Sequence, residues 1–282
     1  MSLGGIGRSS WYAPACNGEV SWSGRGSPPN CETTYFSRPS PRAITFQPDI
    51  YDRVLEALPE DRDLSILDVG AGEEDFSRKL KDAGYDQVEA CDYVEEGFCC
   101  PDIPFDQANL YEALPYPDDH LGCVVSVEVI EHLENHLAFL RELVRVTRPG
   151  GKLIITTPNV MSLSSRWHFF LYGYYDCAPL PLLPHQEDWY MQHLNPISMP
   201  MLLYHFERNR AQLIDLRTNR LRTGSRLMRP FLGPLMRLCL RKRLLREKYA
   251  QRREVFDEHL SWVLTGANWL GRITMATTGK RP

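Results

Sequence analysis

No apolar run in this chain reaches the roughly 18 residues that a bilayer-spanning helix needs. The opening residues also lack the apolar core of a secretory leader. The eight cysteines show no paired C-x-x-C spacing for zinc, and the adjacent Cys99 and Cys100 form no easy bridge. This pattern predicts reduced thiols in a cytoplasmic protein. A strong charge of one sign is missing too. The 32 basic and 36 acidic residues leave a formal net charge of −4, which argues against bulk nucleic-acid binding and against DNA as a partner. No internal repeat is present.

The 282 residues, 43% of them hydrophobic, suffice for a globular core. Residues 1–46 are rich in Gly, Ser, Pro and Asn and read as a loose lead-in or a lid. Residues 47–282 read as one domain. A helical pattern covers Pro48 to Leu58. Strand and helix signals then alternate: strand 64–69, helix 74–83, strand 87–91, a short third strand at Asn109-Leu110, strand 122–127, helix 138–147 and strand 152–157. A helix follows at 199–209, with late strands at 211–216 and 272–277. Such alternation predicts an α/β fold, a doubly wound and mostly parallel seven-stranded Rossmann-like sheet with helices on both faces.

The most informative stretch is Ile66-Leu67-Asp68-Val69-Gly70-Ala71-Gly72. An apolar strand runs into a glycine turn that opens a helix. Glycine lets the backbone approach a ligand closely, and the helix N-terminus favours a nucleotide-like group. Asp92 follows Gly72 by 20 residues, at the end of the next strand. An acid at that interval can accept hydrogen bonds from ribose hydroxyls. Farther on come Asn109-Leu110, Leu114-Pro115-Tyr116-Pro117-Asp118-Asp119, Glu128-Val129-Ile130-Glu131-His132 and Arg148-Pro149-Gly150-Gly151.

As a set, across residues 64–160, these segments resemble the class I S-adenosylmethionine (SAM)-dependent methyltransferases, in the branch carrying D-x-G-x-G, E-V-I-E-H and R-P-G-G in this order. A nicotinamide dehydrogenase is not expected to carry the last two motifs. The resemblance implies SAM as cofactor, with Asp68, Gly70, Ala71 and Gly72 bordering its methionine part. It places Asp92 on the ribose, Tyr93 against the adenine, Asn109 and Leu110 at the adenine edge, and Glu128 where the methyl group is presented. One position departs from the pattern. The family carries glycine where Glu74 stands, and a bulky acid there, beside Glu73 and Asp75, predicts weakened affinity for the SAM carboxylate.

Transfer to a hydroxyl needs a general base, and histidine titrates near working pH. His132 is the first candidate, since it follows the carboxyl end of the fourth strand, where open α/β sheets place their chemistry. His193 can face the acceptor, and the segment after it offers Ser198 as a helix N-cap. Glu128, Glu131 and His132 would share one face of a helix at i, i+3 and i+4. With His193 or His185 they could hold a divalent metal, and oxygen-rich ligation would favour Mg²⁺ over zinc. Similar E-x-x-E-H groups bind a metal in some relatives. The alternative is that Glu131 and His132 only order the loop.

Residues 160–192 carry many aromatics and read as an acceptor-side insert. Residues 220–253 hold 12 Lys or Arg and one acid, Glu247. Within a basic insert at 220–262, residues 226–246 alternate Leu and Met with Arg and Lys. Such a helix can pack on the sheet, lie on an anionic membrane, here the inner membrane face, or hold RNA phosphates. The leading reading is methyl transfer from SAM to an oxygen of a small molecule, sugar or lipid-linked intermediate. The alternatives are an RNA 2′-O-methyltransferase using the metal group and a SAM-binding or SAM-free scaffold motivated by Glu74.

Overall fold

Seven strands form one sheet in the order β3-β2-β1-β4-β5-β7-β6. In this computed structural model the described residues are 48–73, 75–95, 97–176, 192–221 and 272–281, with isolated positions between 230 and 242. The elements are α1 (Pro48–Leu55), β1 (Ile66–Val69), α2 (Asp75–Asp82), β2 (Val88–Asp92), β3 (Phe105–Gln107), β4 (Leu121–Val127), a 3-10 turn (Ile130–His132), α3 (His136–Val146), β5 (Thr147–Pro158), α4 (Leu163–Tyr172), α5 (Met199–Arg208), β6 (Ala211–Arg217) and β7 (Ile273–Lys280). β1 to β5 pair in parallel, and β7 runs antiparallel to both its neighbours, β5 and β6.

The two faces follow from the alternation of strand side chains. Leu67, Val69 and Val124 join the core on the α3 and α5 side, whereas Ile66, Cys123, Val125 and Val127 join the core beneath α1 and α2. Every residue of β4 is buried, as expected of a central parallel strand covered on both faces. In α3, Phe139, Leu140, Leu143 and Val144 recur at helical spacing and are buried. Asn135 caps α3 by accepting from the Ala138 amide. Truncating Leu140, which is fully buried, would cost about 2–5 kcal/mol.

Two elements differ from the sequence reading. The third strand is Phe105–Gln107, and Asn109-Leu110 form a turn after it. The helix ending before Arg148-Pro149-Gly150-Gly151 passes directly into β5, which begins at Thr147. Ser198 heads α5 by position, but its side chain makes no cap hydrogen bond. The aromatic insert contributes α4 through Tyr172, and its residues 177–191 lie outside the described residues, as does most of the basic insert. So do the 1–46 lead-in, Glu74 and His185.

The segment Leu114 to Asp118 serves the fold. Arg145 on α3 donates to the Leu114 and Tyr116 carbonyls at 3.0 and 2.8 Å and to Asp118 at 2.7 Å. The neighbouring Glu142 accepts from the Leu114 amide and from Arg145. This clasp fixes the approach to β4.

Candidate functional site

The candidate residues gather at the carboxyl ends of β1, β2 and β4. Gly70 and Gly72 both have left-handed φ, +79° and +57°. A Cβ on Gly70 would lie 2.3 Å from Val129 Cγ2, so the turn packs closely on the strand-four loop. A Cβ on Gly72 would meet nothing within 4 Å. Gly72 therefore has an open side where a ligand can approach the backbone. The Gly70 and Ala71 amides donate to the Cys91 carbonyl, and the Gly72 amide donates to Asp92 Oδ2 at 2.8 Å. This bond ties the glycine turn to the residue expected at the ribose. Asp92 also accepts from the Tyr93 amide, and the Tyr93 side chain beyond it is exposed.

Asp68 turns inward. It is buried and accepts from the Ser77 hydroxyl at 2.6 Å, which joins β1 to α2 beneath the turn. Burial pushes its carboxyl up to about 7, against the Ser77 bond. Asn109 accepts from the Tyr111 amide and donates to Glu112, and Leu110 packs into the core. Each shapes the turn by its side chain. Tyr111 is exposed on that turn and its hydroxyl donates to the His132 carbonyl at 3.5 Å.

Glu128 has φ +56°, a left-handed conformation that costs a non-glycine residue about 1–3 kcal/mol. Thr156 on β5 secures it. The Thr156 hydroxyl donates to Glu128 Oε1 at 3.0 Å and accepts from the Glu128 amide at 2.9 Å. Burial pushes the Glu128 carboxyl up to about 7, while Thr156 and the Arg272 guanidinium pull it down.

The expected helical face of Glu128, Glu131 and His132 does not form. The helix there is a single 3-10 turn over Ile130–His132, and Glu128 points to Thr156 instead. Among the described residues, Glu131, His132 and His193 bring ligand atoms within 4.8 Å of one another. Asn195 sets this arrangement. Its amide donates to the Glu131 carbonyl at 2.9 Å, and its side chain donates to the Glu134 carbonyl at 3.1 Å. His193 Nε2 then lies 4.0 Å from Glu131 Oε1, and the two imidazoles meet edge to face at 4.8 Å.

Glu131 is completely buried, and neither carboxylate oxygen has a hydrogen-bond partner among the described residues. Burial first, and Glu128 next, push its carboxyl well above the usual range, against the pull of the Thr157 hydroxyl nearby. His132 Nδ1 lies 3.1 Å from the Gln192 carbonyl, which favours a proton on Nδ1 and leaves Nε2 as the basic nitrogen. Burial and His193 hold its pKa down at about 4, against the Gln192 and Glu128 carbonyls.

Three residues at this edge escaped the sequence reading. Tyr51 on α1 is buried and stacks on Phe76 at 5.2 Å between centroids. Burial and the charges of Asp75, Asp68 and Glu128 raise its hydroxyl pKa, so it remains protonated over the acidic end of β1. Thr156 and Arg272 flank Glu128. All three reach the site by long-range packing, and no local motif marks them.

A family model described as a methyltransferase domain matches residues 43–220. The chain is 38% identical over 104 residues to a probable S-adenosylmethionine-dependent methyltransferase of Mycobacterium tuberculosis, covering 35% of this chain and 37% of the relative. It is 30% identical over 139 residues to a ubiquinone/menaquinone biosynthesis C-methyltransferase of Hahella chejuensis, covering 42% of this chain and 52% of the relative. The alignments thus span about a third to a half of those relatives. Among solved structures, the [4+2]-cyclase SpnF matches with a TM-score of 0.51 and 16% identity, over 82% of this chain and 80% of that one. A chain of the Haloferax volcanii complex containing the Trm112 methyltransferase activator matches with a TM-score of 0.51 and 12% identity, over 83% and 90%. Both likenesses concern the fold.

Proposed function

The chain belongs to the methyltransferase-domain family, and from that premise we propose that it moves a methyl group from SAM to an oxygen of a small-molecule, sugar or lipid-linked acceptor. The observation that carries the cofactor reading is the Gly72 amide bonded to Asp92 with the Cα face of Gly72 open. SAM supplies, when bound, a methyl group activated by a sulfonium. Gly70 to Gly72 would leave room for its methionine part, and Asp92 would accept from its ribose hydroxyls with the lone pairs that Gly72 and Tyr93 leave over. The exposed Tyr93 ring would lie along the base.

His132 would take the acceptor proton at Nε2. Its lowered pKa keeps the ring neutral at working pH, ready to accept a proton but only weakly basic. Alignment of the acceptor oxygen with the methyl group would supply most of the acceleration. The relative named as a C-methyltransferase acts at carbon by its name, so the methylated atom is a question for product analysis.

Calorimetric titration with SAM and S-adenosylhomocysteine, with NADH as control, tests the reading. Micromolar binding of either adenosyl ligand but not NADH is the expected result, and it would show that Glu74 is tolerated. Absence of binding to both would replace the reading with a scaffold.

A second reading is favoured by Glu131, whose buried oxygens face two imidazoles. Glu131, His132 and His193 would hold a divalent cation that polarises the acceptor hydroxyl. Two imidazoles and one carboxylate suit zinc better than the Mg²⁺ expected from the sequence, because Glu128 does not join the set. In that case His132 Nε2 is a ligand and the proton goes elsewhere. Metal content of the purified protein and of Glu131→Gln separates the two readings: metal in the wild type and its loss in the variant support the centre, and a metal-free, fully active wild type removes it.

A further inference from the structure

The outer half of α4 exposes apolar side chains around His168, which lies 3.2 Å from Asp176. Trp167, Phe169, Phe170, Leu171 and Tyr172 are exposed in succession, followed by Tyr174, and Phe170 is 76% exposed. Soluble helices normally show water a charged face, yet the run from Trp167 to Tyr175 contains no Asp, Glu, Lys or Arg. This helix is nevertheless built firmly. Ser162 caps it by accepting from the Ser165 amide, and Gly173 closes it in the left-handed region. Its root is tied down by Arg166, which donates to the Met161 carbonyl, and by Asp176, which accepts from Ser164. Leu163 and Ser165 are buried at the base. The aromatic end therefore stands out from a fixed base.

The most basic part of the chain is rooted beside it. The chain leaves the sheet after Leu221 and returns at Arg272. There the Arg272 amide donates to the Arg220 carbonyl at 3.0 Å, and the Arg272 carbonyl accepts from the Asn159 amide at 3.0 Å. Asn159 stands four residues before α4 begins. One hydrogen-bonded rung thus joins the roots of the basic excursion and of the aromatic helix. In that excursion the described residues Leu235, Leu238 and Lys242 are exposed.

We infer that α4 is an interfacial wedge that docks this edge of the sheet on an anionic lipid bilayer. Trp, Tyr and Phe favour the headgroup and acyl boundary, and neighbouring cations are drawn to anionic headgroups. Charge complementarity selects this occupant over an apolar protein partner: the sequence that leaves at Leu221 and returns at Arg272 carries 11 Lys or Arg against four Asp or Glu, cations that anionic headgroups would pair and an apolar partner would not. The active edge would then face the membrane, where a lipid-linked acceptor resides. The docking itself does not depend on the methyl-transfer reading.

The test is co-sedimentation of the full chain with vesicles of phosphatidylcholine alone or mixed with phosphatidylglycerol, at low and high salt. The wild type is expected to bind the mixed vesicles and to be weakened by salt. A Trp167→Ser, Phe170→Ser, Tyr172→Ser variant is expected to bind about tenfold or more weakly, with unchanged SAM titration and unchanged thermal melting, because these side chains are exposed. Wild-type protein that stays in solution overturns the inference, and so does a variant that sediments like the wild type. Light scattering supplies the other arm: a wild-type dimer that the variant turns into a monomer would assign the face to a second copy instead. SAM binding is read in the same samples, so failure of docking and failure of the cofactor reading are separate results.

Discussion

Two histidine pairs lie close together in the chain, and only one has the makings of a site. His132 meets His193 edge to face at 4.8 Å, and His136 meets His205 edge to face at 6.4 Å. All four are at least half buried, and in both pairs burial lowers the pKa of the rings for which a shift is resolved. The difference is the neighbour. The first pair faces Glu131, a buried acid whose two oxygens have no hydrogen-bond partner among the described residues. The second joins α3 to α5, no acid among the described residues holds such a position, and its His136 Nε2 and His205 Nδ1 also lack hydrogen-bond partners among them. Buried imidazoles alone describe a core; an acid among them creates a place for a proton or a cation.

The largest expected effect breaks this comparison at its functional end. His132→Ala should lower methyl transfer to the true acceptor by about 10²–10⁴-fold, the usual contribution of a general base, while His136→Leu leaves the rate near wild type. Initial rates with labelled SAM check both. Survival of activity in His132→Ala would make the pairs equivalent and remove His132 as the base.

Acid sharpens the comparison from the stability side. His136 and His205 have folded-state pKa values below the ordinary 6.5. Below that pH the unfolded chain binds protons that the folded chain refuses, so stability falls as pH falls. These rings pull the melting temperature down between pH 7 and pH 5, while the raised carboxyls of Asp68, Glu128 and Glu131 push it up as they take protons in the folded state. A His136→Leu, His205→Leu variant should lose the downward pull of its two rings, so its melting temperature relative to wild type rises between pH 7 and pH 5, measured by circular dichroism. His132 keeps its own downward pull in both proteins, to its pKa of about 4.

The smallest effects concern the helices that carry the second pair. Asn135 caps α3 through its side chain, and Ser198 heads α5 without such a bond. Asn135→Ala should cost about 1 kcal/mol in chemical denaturation. Ser198→Ala should stay within about 0.5 kcal/mol of wild type.

The sheet was largely legible because its strands are apolar and separated by helix-period segments: β1, β2, β4, β6 and β7 all fall on the segments read from the sequence. The third strand slipped toward Asn109 because Phe105–Gln107 is a three-residue edge strand with no fully buried residue, and so has little pattern to detect. α4 went unread because it lacks amphipathic contrast. At the site, the glycine turn and Asp92 announced themselves by spacing, and the structure joins them by one hydrogen bond. The E-V-I-E-H stretch misled because i, i+3, i+4 arithmetic assumes a helix that starts at Glu128. A left-handed φ at Glu128 and only one 3-10 turn break that assumption. Tyr51, Thr156 and Arg272 come together through packing over long sequence distances, and no local rule reports such meetings.

The strand order also sets a timetable for synthesis. Among the described residues β6 touches the sheet only through β7, and the chain makes β7 after β6, beyond the excursion that leaves at Leu221 and returns at Arg272. While residues 273–280 remain untranslated, β6 has no partner strand and the β5 edge stays bare. The five parallel strands and the glycine turn can assemble earlier, so a nascent chain could present the β1 turn before the β5 edge is covered. A ribosome stalled short of β7 would hold a half-sheet with an open flank, the form of this protein that most needs a chaperone.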